Sequence, residues 1–487
     1  MVVLGQYPRV AALNGVHGLR ARLVELGTPL PSDDVALAAP TSPLAQPLEL
    51  GSRGGTLFSV ANRFVIQPME GWDAAVDGRP TDLTLRRWRN FGRSGAGWIW
   101  GGEAVAVCPA GRGNPHQLLL TDDTAADIGG LRRALLGVAT APKPVTGLQL
   151  THSGRWSQPT AAGRAPRIAF RHPLLDARAG VTGDTAILSD GEVRSLIRDF
   201  AHAAYLAQEE GFDFVDIKHC HGYLLHEFLA ARSRPGAYGG APLAPRTHLL
   251  GEVITAVRMA APRIAVGVRL SVFDGLPHHP AFVRADGRLG PGVAEKCPLP
   301  YEWGFGVDPN NPDRIDLTEP IAVVRRLREL GVAWLNVTAG SPYYVPHIQR
   351  PALFPPSHGY APPEDPLAGV ARLLYAARAL KAAVPEMIVV SSGWTYLQEY
   401  VPHVAQACVR ENWFDVVGLG RMVLAYPEFP ADVLAGRRPD RRRICRTFSD
   451  CTSAPRNGLA SGCYPLDPFY RARPEAAQLQ AAKRRRG

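Results

Sequence analysis

The stretch EVRSLIRDFAHAAYLAQEEGFDFVDIKHCHGYLLHEF, residues 192–228, carries the pattern that decides the fold. Its first part repeats apolar residues at helical spacing, which predicts a helix over Glu192–Gly211. A turn follows, and the apolar run Phe214–Lys218 then predicts a buried strand with polar residues at its end. A helix that leads into a buried strand in this way is the repeating unit of an α/β fold. The apolar face of the helix comprises Leu196, Ile197, Phe200, Ala203, Ala204 and Ala207.

The same order of helix, turn and strand recurs along the chain, for example in RELGVAWLNV and RENWFDVVGL. Nearly continuous apolar strands indicate a parallel sheet covered by helices. Eight of them favour a closed (β/α)8 TIM barrel over an open doubly wound sheet, and in such a barrel the chemistry takes place at the carboxyl ends of the strands. The predicted strands are Phe64–Gln67, Gly97–Trp100, Val145–Leu150, Phe214–Lys218, Ile264–Leu270, Ala333–Thr338, Ile388–Ser392 and Val416–Gly420.

The 487 residues correspond to about three average domains of ~150 residues. A single barrel with insertions reaches more than ~400 residues, however. We therefore expect an N-terminal extension over residues 1–55, a barrel over 56–440 and a C-terminal extension over 441–487. Loops longer than ~15 residues are usually functional or disordered, and three long post-strand segments are predicted to form walls and a lid over the barrel mouth. They are Ser153–Gly191, Val272–Glu319 and Ser341–Pro366.

Composition narrows the class of protein. Hydrophobic residues make up 46% of the chain, which is enough for a large core, and the formal net charge is +10. No apolar run approaches the ~20 residues of a membrane helix, and no secretory signal is visible. Seven scattered cysteines argue against a disulfide framework, so a cytoplasmic location is expected. The basic runs Arg437–Arg446 and Lys483–Arg486 lack an aromatic stacking platform, so we expect no role in binding nucleic acid.

Polar residues cluster where the predicted strands end. Gln149 ends the third strand, Lys218 and His221 follow the fourth, and Arg269 lies within the fifth. A buried arginine needs an anionic or strongly accepting partner. Taken singly, each of these residues also suits a structural role in the core. A metal at the HCH run is not expected, because no second Cys/His cluster at zinc spacing accompanies it.

Gly393, Gly420 and Arg421 follow the seventh and eighth strands, the usual position of a phosphate site in a barrel. Each glycine also suits an ordinary turn. Together with the donors at the other strand ends, these residues favour a phosphorylated, planar cofactor that lies across the barrel mouth.

Seven stretches resemble the old yellow enzyme family of FMN-dependent oxidoreductases, in matching order and spacing from about Phe58 to Pro439. The resemblance implies a barrel that binds FMN and takes electrons from NAD(P)H. The stretches are VIQPM (65–69), SGAGWIWGGEAVAV (94–107), LQLTHSGR (148–155), EEGFDFVDIKHCHGYLLHEFL (209–229), YGG (238–240), VGVRLS (266–271) and VVGLGR (416–421).

The resemblance also implies roles for individual residues. It places four residues against the flavin ring, which are Pro68, Met69, Ala104 and Gln149. It places Arg269 beside the N1/C2 carbonyl edge of the ring, and it assigns the phosphate to Gly393, Gly420 and Arg421. It implies that His221 binds the electron-withdrawing oxygen of the substrate and that Tyr223 supplies a proton.

Two positions depart from the family pattern. Many relatives carry a first substrate-binding histidine where this chain has Lys218, and the residue after Met69 is Glu70 rather than a small hydroxyl residue or a cysteine. A lysine at this position can donate to a carbonyl and can favour an anionic substrate. It can equally form an ion pair with Glu70 or Asp216.

The segment CRTFSDCTSAPRNGLASGC, residues 445–463, is similar to the iron–sulfur segment of trimethylamine dehydrogenase and 2,4-dienoyl-CoA reductase. Those proteins use four cysteines, and here Cys445, Cys451 and Cys463 remain while Phe448 occupies the second position. A four-iron cluster normally takes four thiolates, so we expect a relic segment without a cluster and no metal site.

These features predict an NAD(P)H-dependent flavoenzyme that reduces an activated C=C bond with Lys218, His221 and Tyr223 as catalytic groups. One alternative is a flavin-dependent dehydrogenase or demethylase that passes electrons to a separate protein. Another is a non-catalytic flavin-binding protein. The large relatives continue into a second nucleotide-binding half, so here we expect electrons from free NAD(P)H or a separate protein. A homo-oligomer is compatible with all three functions.

Overall fold

The fold is described from a computed structural model that covers residues 7–53, 56–285, 287–356 and 359–484. Residues 1–6 and 54–55 of the expected N-terminal extension lie outside the described residues. Arg485 and Arg486 of the basic tail lie outside them as well.

Eight parallel strands close into a barrel, which confirms the predicted (β/α)8 class. Each barrel strand pairs with the next one in the chain. The second, β4 (Trp98–Ile99), pairs with both β3 (Phe64–Ile66) and β6 (Val145–Thr151), and the last, β15 (Val416–Leu419), returns to β3. All eight predicted strands are present to within one residue at each end. The barrel strands are β3 (Phe64–Ile66), β4 (Trp98–Ile99), β6 (Val145–Thr151), β7 (Phe214–His219), β8 (Ala265–Ser271), β13 (Trp334–Thr338), β14 (Ile388–Ser391) and β15 (Val416–Leu419).

Further strands lie outside the ring. The short strand β5 lengthens the parallel sheet beside β6, and the others form small antiparallel hairpins. They were not predicted from the sequence, because each is short and lies in a segment rich in glycine, proline or polar residues. These strands are β1 (Leu48–Arg53), β2 (Thr56–Val60), β5 (Ala104–Ala106), β9 (His278–Pro280), β10 (Gly292–Ala294), β11 (Val307–Asp308) and β12 (Asn311–Ile315).

Helices cover the outside of the barrel. The predicted helix of the opening stretch is α5, and its expected apolar face is buried. It begins two residues early because Ser189 and Glu192 form a reciprocal capping box. The α-helices are α1 (Gly15–Glu25), α2 (Asp82–Gly92), α3 (Ala125–Val138), α4 (Asp176–Ala179), α5 (Asp190–Glu209), α6 (Leu224–Leu229), α7 (Leu243–Arg246), α8 (His248–Ala260), α9 (Thr318–Glu329), α10 (Pro346–Gln349), α11 (Pro366–Ala383), α12 (Val401–Arg410), α13 (Arg421–Ala425), α14 (Phe429–Leu434), α15 (Asp450–Arg456), α16 (Pro468–Arg471) and α17 (Pro474–Arg484). In the described ranges, no helix is long and apolar enough to cross a membrane.

The N-terminal segment is bound to the outside of the barrel by ion pairs. Arg22 in α1 contacts Asp365 at 2.8 Å, and the same carboxylate caps the start of α11. Asp33 pairs with Arg410 of α12 at 2.6 Å. The hairpin of β1 and β2 straddles the expected boundary at residue 55, and the division into a barrel and two extensions stays a prediction.

Aromatic rings fill the barrel at the amino-terminal end of its strands, and we call this cluster the aromatic floor. It consists of Trp98, Trp100, Phe214 and Trp334, all buried. The ring of Trp334 lies 5.2 Å from those of Trp98 and Phe214, nearly perpendicular to both. Its indole N–H donates to the Leu50 carbonyl at 2.6 Å, so the β1–β2 hairpin is fastened beneath the floor.

Replacing Trp334 by alanine removes a ring that is only 3% exposed. We expect the free energy of unfolding to fall by about 3–5 kcal/mol, because a large cavity forms among the other rings. Denaturant unfolding followed by far-UV circular dichroism measures the effect. The control is Met259→Ala in α8, where the side chain is 80% exposed and the expected change is within about 0.5 kcal/mol. Equal shifts for the two variants would show that the floor does not stabilise the barrel.

Candidate active site

A cavity of about 300 Å³ lies at the carboxyl ends of the barrel strands. It brings together every residue that the sequence analysis proposed for catalysis or flavin binding. Those residues are Pro68, Met69, Ala104, Gln149, Lys218, His221, Tyr223, Arg269, Gly393, Gly420 and Arg421.

The strand register aligns the polar side chains of the cavity in rows. Lys218 of β7 pairs with Arg269 of β8, and Arg269 pairs with Asn336 of β13. In the same way, Gln149 of β6 pairs with Ala104 of β5 on one side and with Asp216 of β7 on the other. Residues that are opposite each other in parallel strands point to the same face. The closed barrel therefore turns sequence-distant residues into neighbours at its mouth.

Asp216 holds two residues of the cavity wall in place, Gln149 and Arg269. Its carboxylate is fully buried, and it accepts hydrogen bonds from the Gln149 amide at 2.5 Å and from the Arg269 backbone N–H at 2.6 Å. Burial raises the pKa of Asp216 to about 6. The carboxylate thus holds the backbone of Arg269, and the guanidinium is left to other partners.

The guanidinium of Arg269 is short of hydrogen-bond partners. Nη1 makes one long contact, 3.4 Å to the Pro68 carbonyl, and the buried Nε has no partner among the described residues. An unpaired buried donor costs about 1–3 kcal/mol. The position therefore suits a ligand that presents hydrogen-bond acceptors.

A second group of cations also lines the cavity. Arg350, Arg421 and Arg456 line it, and none of them pairs with a carboxylate among the described residues. Burial and the charges of Arg456 and Arg421 lower the pKa of Arg350 to about 9. Nη2 of Arg350 and Nη1 of Arg421 are buried without partners in the part of the chain that the structure describes. By contrast, Arg87 on the same wall is held by Asp73 and Glu103.

Glu70 lies at the centre of a polar network at the cavity wall. Its Oε2 accepts a hydrogen bond from the Tyr223 hydroxyl at 2.8 Å and lies 3.8 Å from Lys218 Nζ. The Lys218 ammonium sits 3.7 Å from the centre of the Tyr223 ring. Of the partners considered from sequence, Glu70 is the carboxylate that lies beside Lys218.

Burial sets the protonation states in this network. It raises the pKa of Tyr223 well above its ordinary value, and the charge of Glu70 adds to the rise. Burial also lowers the pKa of Lys218, against the attraction of Glu70. Tyr223 is therefore a phenol that keeps its proton at neutral pH.

His221 adopts a backbone conformation with a φ of 67°, which residues other than glycine rarely adopt. Its backbone N–H donates to the Ser271 hydroxyl at 3.0 Å, and its Nε2 lies 3.3 Å from both Thr338 Oγ1 and Gln349 Nε2. Burial, with the charges of Arg269 and Lys218, lowers the pKa of His221 well below its ordinary value. The ring is neutral and carries one N–H.

The third long segment contributes directly to the cavity through Tyr343, and the first supports it. The Tyr343 hydroxyl lies 3.0 Å from that of Tyr223, and its ring stacks on Trp156 at 4.5 Å. Tyr343 was not predicted from the sequence to be a site residue, although the frequent tyrosines of this segment are a signal for one. None of the described residues of the second segment lines the cavity.

Two polar residues close to the carboxyl ends of the strands lie outside the cavity. Arg155 is fully buried and contacts Glu227 at 2.5 Å and also Asp176, so it fixes the first long segment to the barrel. His219 is buried at the end of β7, and its Nδ1 lies 3.3 Å from the Ile217 carbonyl. The cavity is therefore formed by a subset of the polar strand ends.

The C-terminal segment is part of the cavity wall. Cys451 and Cys463 line it, whereas Cys445 is buried outside it. Phe448, at the missing fourth position, stacks on Phe354 at 5.5 Å. Among the described residues, no group of three or more His, Cys, Asp or Glu side chains is arranged to hold a metal ion. The expected loss of the cluster stays a prediction.

The cavity fits FMN in its donor chemistry. Unpaired donors of Arg269 suit the carbonyl oxygens of a flavin ring, and the arginines without carboxylates suit its phosphate. Gly393, which lines the same cavity, adopts a φ of 96°, a backbone conformation that favours glycine.

Comparison with known proteins agrees with this arrangement. A sequence profile of the NADH:flavin oxidoreductase / NADH oxidase family matches residues 43–286. The chain is 29% identical over 391 residues to an NADPH dehydrogenase of Geobacillus thermodenitrificans, which covers 78% of this chain and 90% of the relative. It is 27% identical over 432 residues to a metal reductase of Desulforamulus reducens, of which it spans 52%.

Two solved structures have the same fold. One is morphinone reductase in complex with tetrahydroNAD, at a TM-score of 0.54 and 21% identity, with 82% of this chain and 93% of that chain covered. The other is a complex of 2-naphthoyl-CoA reductase, at a TM-score of 0.63 and 17% identity, with 88% of this chain and 57% of that chain covered. The chain spans about half the length of the longer relatives. It belongs to the NADH:flavin oxidoreductase / NADH oxidase family and is an FMN-dependent oxidoreductase with NAD(P)H as electron donor.

Proposed function

We propose that this enzyme transfers a hydride from NAD(P)H to a C=C bond conjugated to a carbonyl or carboxyl group. One observation carries the proposal. A phenol that keeps its proton, Tyr223, lies with the cation of Lys218 in the cavity that also contains the unpaired donors of Arg269. Such a site can bind an oxygen and deliver a proton.

FMN is assigned to the residues with complementary chemistry. Its ring would be held by Pro68, Met69, Ala104, Gln149 and Arg269, all of which line the cavity. When bound, FMN supplies a two-electron carrier for the hydride that NAD(P)H gives up.

The phosphate of FMN is assigned to the residues that follow the seventh and eighth barrel strands. Gly393, Gly420 and Arg421 would hold it, and Arg350 adds positive charge nearby. Guanidinium groups bind phosphate through charge-assisted hydrogen bonds, which are stronger than neutral ones. Because these arginines lack carboxylate partners among the described residues, a bound phosphate would also relieve their mutual repulsion.

Lys218 and His221 would bind the oxygen of the substrate. The Lys218 side chain is 4% exposed, and the neutral ring of His221 carries one N–H. Donors in a site that excludes water stabilise the negative charge that develops on such an oxygen. The ion pair with Glu70 offsets part of the Lys218 charge, so a neutral carbonyl group suits this pair as well as a carboxylate does.

Tyr223 would give its phenolic proton to the carbon next to the activating group. The raised pKa of Tyr223 keeps this proton in place until the substrate carbon has gained electrons. General-acid catalysis by a positioned side chain contributes about 10²–10⁴-fold to a rate.

The oxidative alternative, a dehydrogenase that passes electrons to a separate protein, is favoured by one observation. The carboxylate of Glu70 accepts the Tyr223 hydroxyl at 2.8 Å, which also suits removal of a proton from a substrate. Anaerobic reduction of the enzyme followed by mixing with candidate acceptors separates the two functions. Oxidation by conjugated alkenes supports the proposal, and oxidation by a carrier protein alone supports the alternative.

Replacing Arg421 by alanine is expected to weaken the binding of FMN and leave the binding of riboflavin unchanged, because riboflavin lacks the phosphate. The loss of a hydrogen bond to a charged group, about 1.5–3 kcal/mol, corresponds to an increase in Kd of about 10- to 100-fold. Titration of the flavin-free protein by quenching of flavin fluorescence measures both constants. Arg378→Ala is the control, because Arg378 is exposed and lies over Trp413 outside the cavity. Equal weakening of both flavins would contradict the phosphate assignment.

Replacing Tyr223 by phenylalanine is expected to slow the reaction of the reduced enzyme with a conjugated alkene by about 10²-fold or more. Reduction of the enzyme by NAD(P)H needs no proton from Tyr223 and should keep its rate. Stopped-flow absorbance separates the two half-reactions. Tyr238→Phe is a matched control, because Tyr238 is buried and donates to Glu252 at 2.7 Å away from the cavity. An unchanged alkene reaction in Y223F would remove Tyr223 as the acid.

A further inference from the structure

The cavity contains more positive charge than the phosphate of FMN can neutralise. A phosphate monoester carries a charge of about −1.5 to −2 at neutral pH. Arg350, Arg421 and Arg456 all line the cavity, and within the described ranges their hydrogen bonds go to neutral oxygen atoms. The proposed function gives the phosphate to residues that include Arg421. Arg350 and Arg456, which we call the arginine pair, belong to other parts of the fold and are available to a second anion.

Helix α15 holds the arginine pair together. Nη1 of Arg350 donates to the Thr452 hydroxyl at 2.5 Å, and Thr452 and Arg456 are four residues apart in α15. Residues at this spacing are neighbours on a helix surface, with about 5–6 Å between their Cβ atoms. Burial and the charges of Arg456 and Arg421 lower the pKa of Arg350 to about 9. The two guanidinium groups therefore repel each other, and an anion between them would relieve that repulsion.

Arg350 is attached to the part of the cavity that is proposed to bind the substrate oxygen. The residue before it, Gln349, has its side-chain nitrogen 3.3 Å from Nε2 of His221. Burial is the main cause of the lowered pKa of His221, and the charge of Arg350 adds to it. Nη2 of Arg350 is buried and has no partner in the part of the chain that the structure describes. An anion that accepts from this nitrogen would lie close to a substrate whose oxygen His221 binds.

Arg456 is attached to the side of the cavity that contains the proposed proton donor. Its Nη2 donates to the Pro342 carbonyl at 3.1 Å, and the hydroxyl of the next residue, Tyr343, lies 3.0 Å from that of Tyr223. Burial raises the pKa of Tyr343 to about 12, and the charge of Arg456 opposes that rise. The arginine pair is thus connected to both groups that are assigned to the substrate, and not to the flavin alone.

We propose that the arginine pair binds a carboxylate or phosphate group that the alkene substrate carries at the end away from its C=C bond. Guanidinium groups bind both kinds of anion through charge-assisted hydrogen bonds, which are stronger than neutral ones. The substrate class is then conjugated alkenes with a separate, negatively charged group, rather than neutral enones. This inference rests on the proposed alkene reduction.

The test compares two ligands that differ by one charge, 4-carboxycinnamaldehyde and its primary amide, 4-carbamoylcinnamaldehyde. Both have the same conjugated C=C bond and a similar shape. Isothermal titration calorimetry with the oxidised, FMN-loaded enzyme measures their Kd values, because no hydride is available in the oxidised enzyme. We expect the acid to bind about 10- to 100-fold more tightly than the amide, the range for hydrogen bonds to a charged group.

Replacing Arg456 by glutamine removes one charge of the pair and keeps an amide that can donate to the Pro342 carbonyl. The R456Q variant should lose the preference for the acid and keep the Kd of the amide. Arg350→Gln should show the same loss, and it takes the place of R456Q if that variant does not fold. The control is Arg378→Gln, which should keep the preference, because Arg378 is exposed and lies over Trp413 outside the cavity.

Two other anions could occupy the arginine pair, and R456Q distinguishes them from the substrate. Weaker binding of FMN with unchanged binding of riboflavin would assign the pair to the flavin phosphate. Weaker binding of NAD(P)H with an unchanged preference for the acid would assign it to the phosphates of the nicotinamide nucleotide. Either result overturns the proposal.

The proposal also fails if the acid binds no more tightly than the amide to the unaltered enzyme, or if both variants keep the preference. Mixing the reduced enzyme with the same two aldehydes tests the proposed function separately. Reduction of the aldehydes without a preference for the acid would leave the proposed function in place and remove the anion site. A preference that R456Q loses, in an enzyme that reduces neither aldehyde, would keep the anion site and overturn the proposed function.

Discussion

The closure of the barrel between β4 and its two neighbours, β3 and β6, is the constraint on which the site depends. Once the parallel strands form a ring, their carboxyl ends meet at one mouth. Residues as distant in sequence as Glu70 and Tyr223 then come within hydrogen-bonding distance. The short strand β5 extends this edge and brings Ala104 opposite Gln149. The chemistry thus follows from the register of the hydrogen bonds that close the sheet.

The buried arginines around this mouth fall into two groups that differ in their hydrogen-bond partners. Arg155 and Arg87 are held by pairs of carboxylates and serve the structure. Arg269 and Arg421 have unpaired buried nitrogens in the described ranges. A cation of this kind costs stability until an anion or acceptor reaches it. Under the proposed function FMN is that partner, so binding of the cofactor and stability of the barrel are linked.

Most of the fold was predictable from sequence, because apolar strands and helices with a clear period report burial directly. The strands and the barrel followed from that pattern, and the polar strand ends located the mouth. The contacts within the mouth were not predictable in the same way. Whether Lys218 binds a substrate or pairs with Glu70 depends on the path of the loop after β3. That Tyr343 meets Tyr223 depends on how a long loop folds back, which no periodicity records.

For two sets of residues, the local sequence does not indicate what the side chains contact in the fold. Arg155 sits in a matching family motif and at a strand end, yet its partners, Asp176 and Glu227, make it a structural anchor. The C-terminal segment was interpreted by counting cysteines, and that count gives no indication that Cys451 and Cys463 face the cavity. Both placements arise from tertiary packing of segments that are remote in sequence.

The aromatic floor also has a consequence for the order of events in turnover. Because its rings fill the barrel below the cavity and are shielded from solvent, reactants must enter and leave from the mouth side. An electron donor and an electron acceptor that use the same entrance occupy it in turn. Under the proposed function, sharing one entrance in this way would give ping-pong kinetics, with one reactant leaving before the other binds.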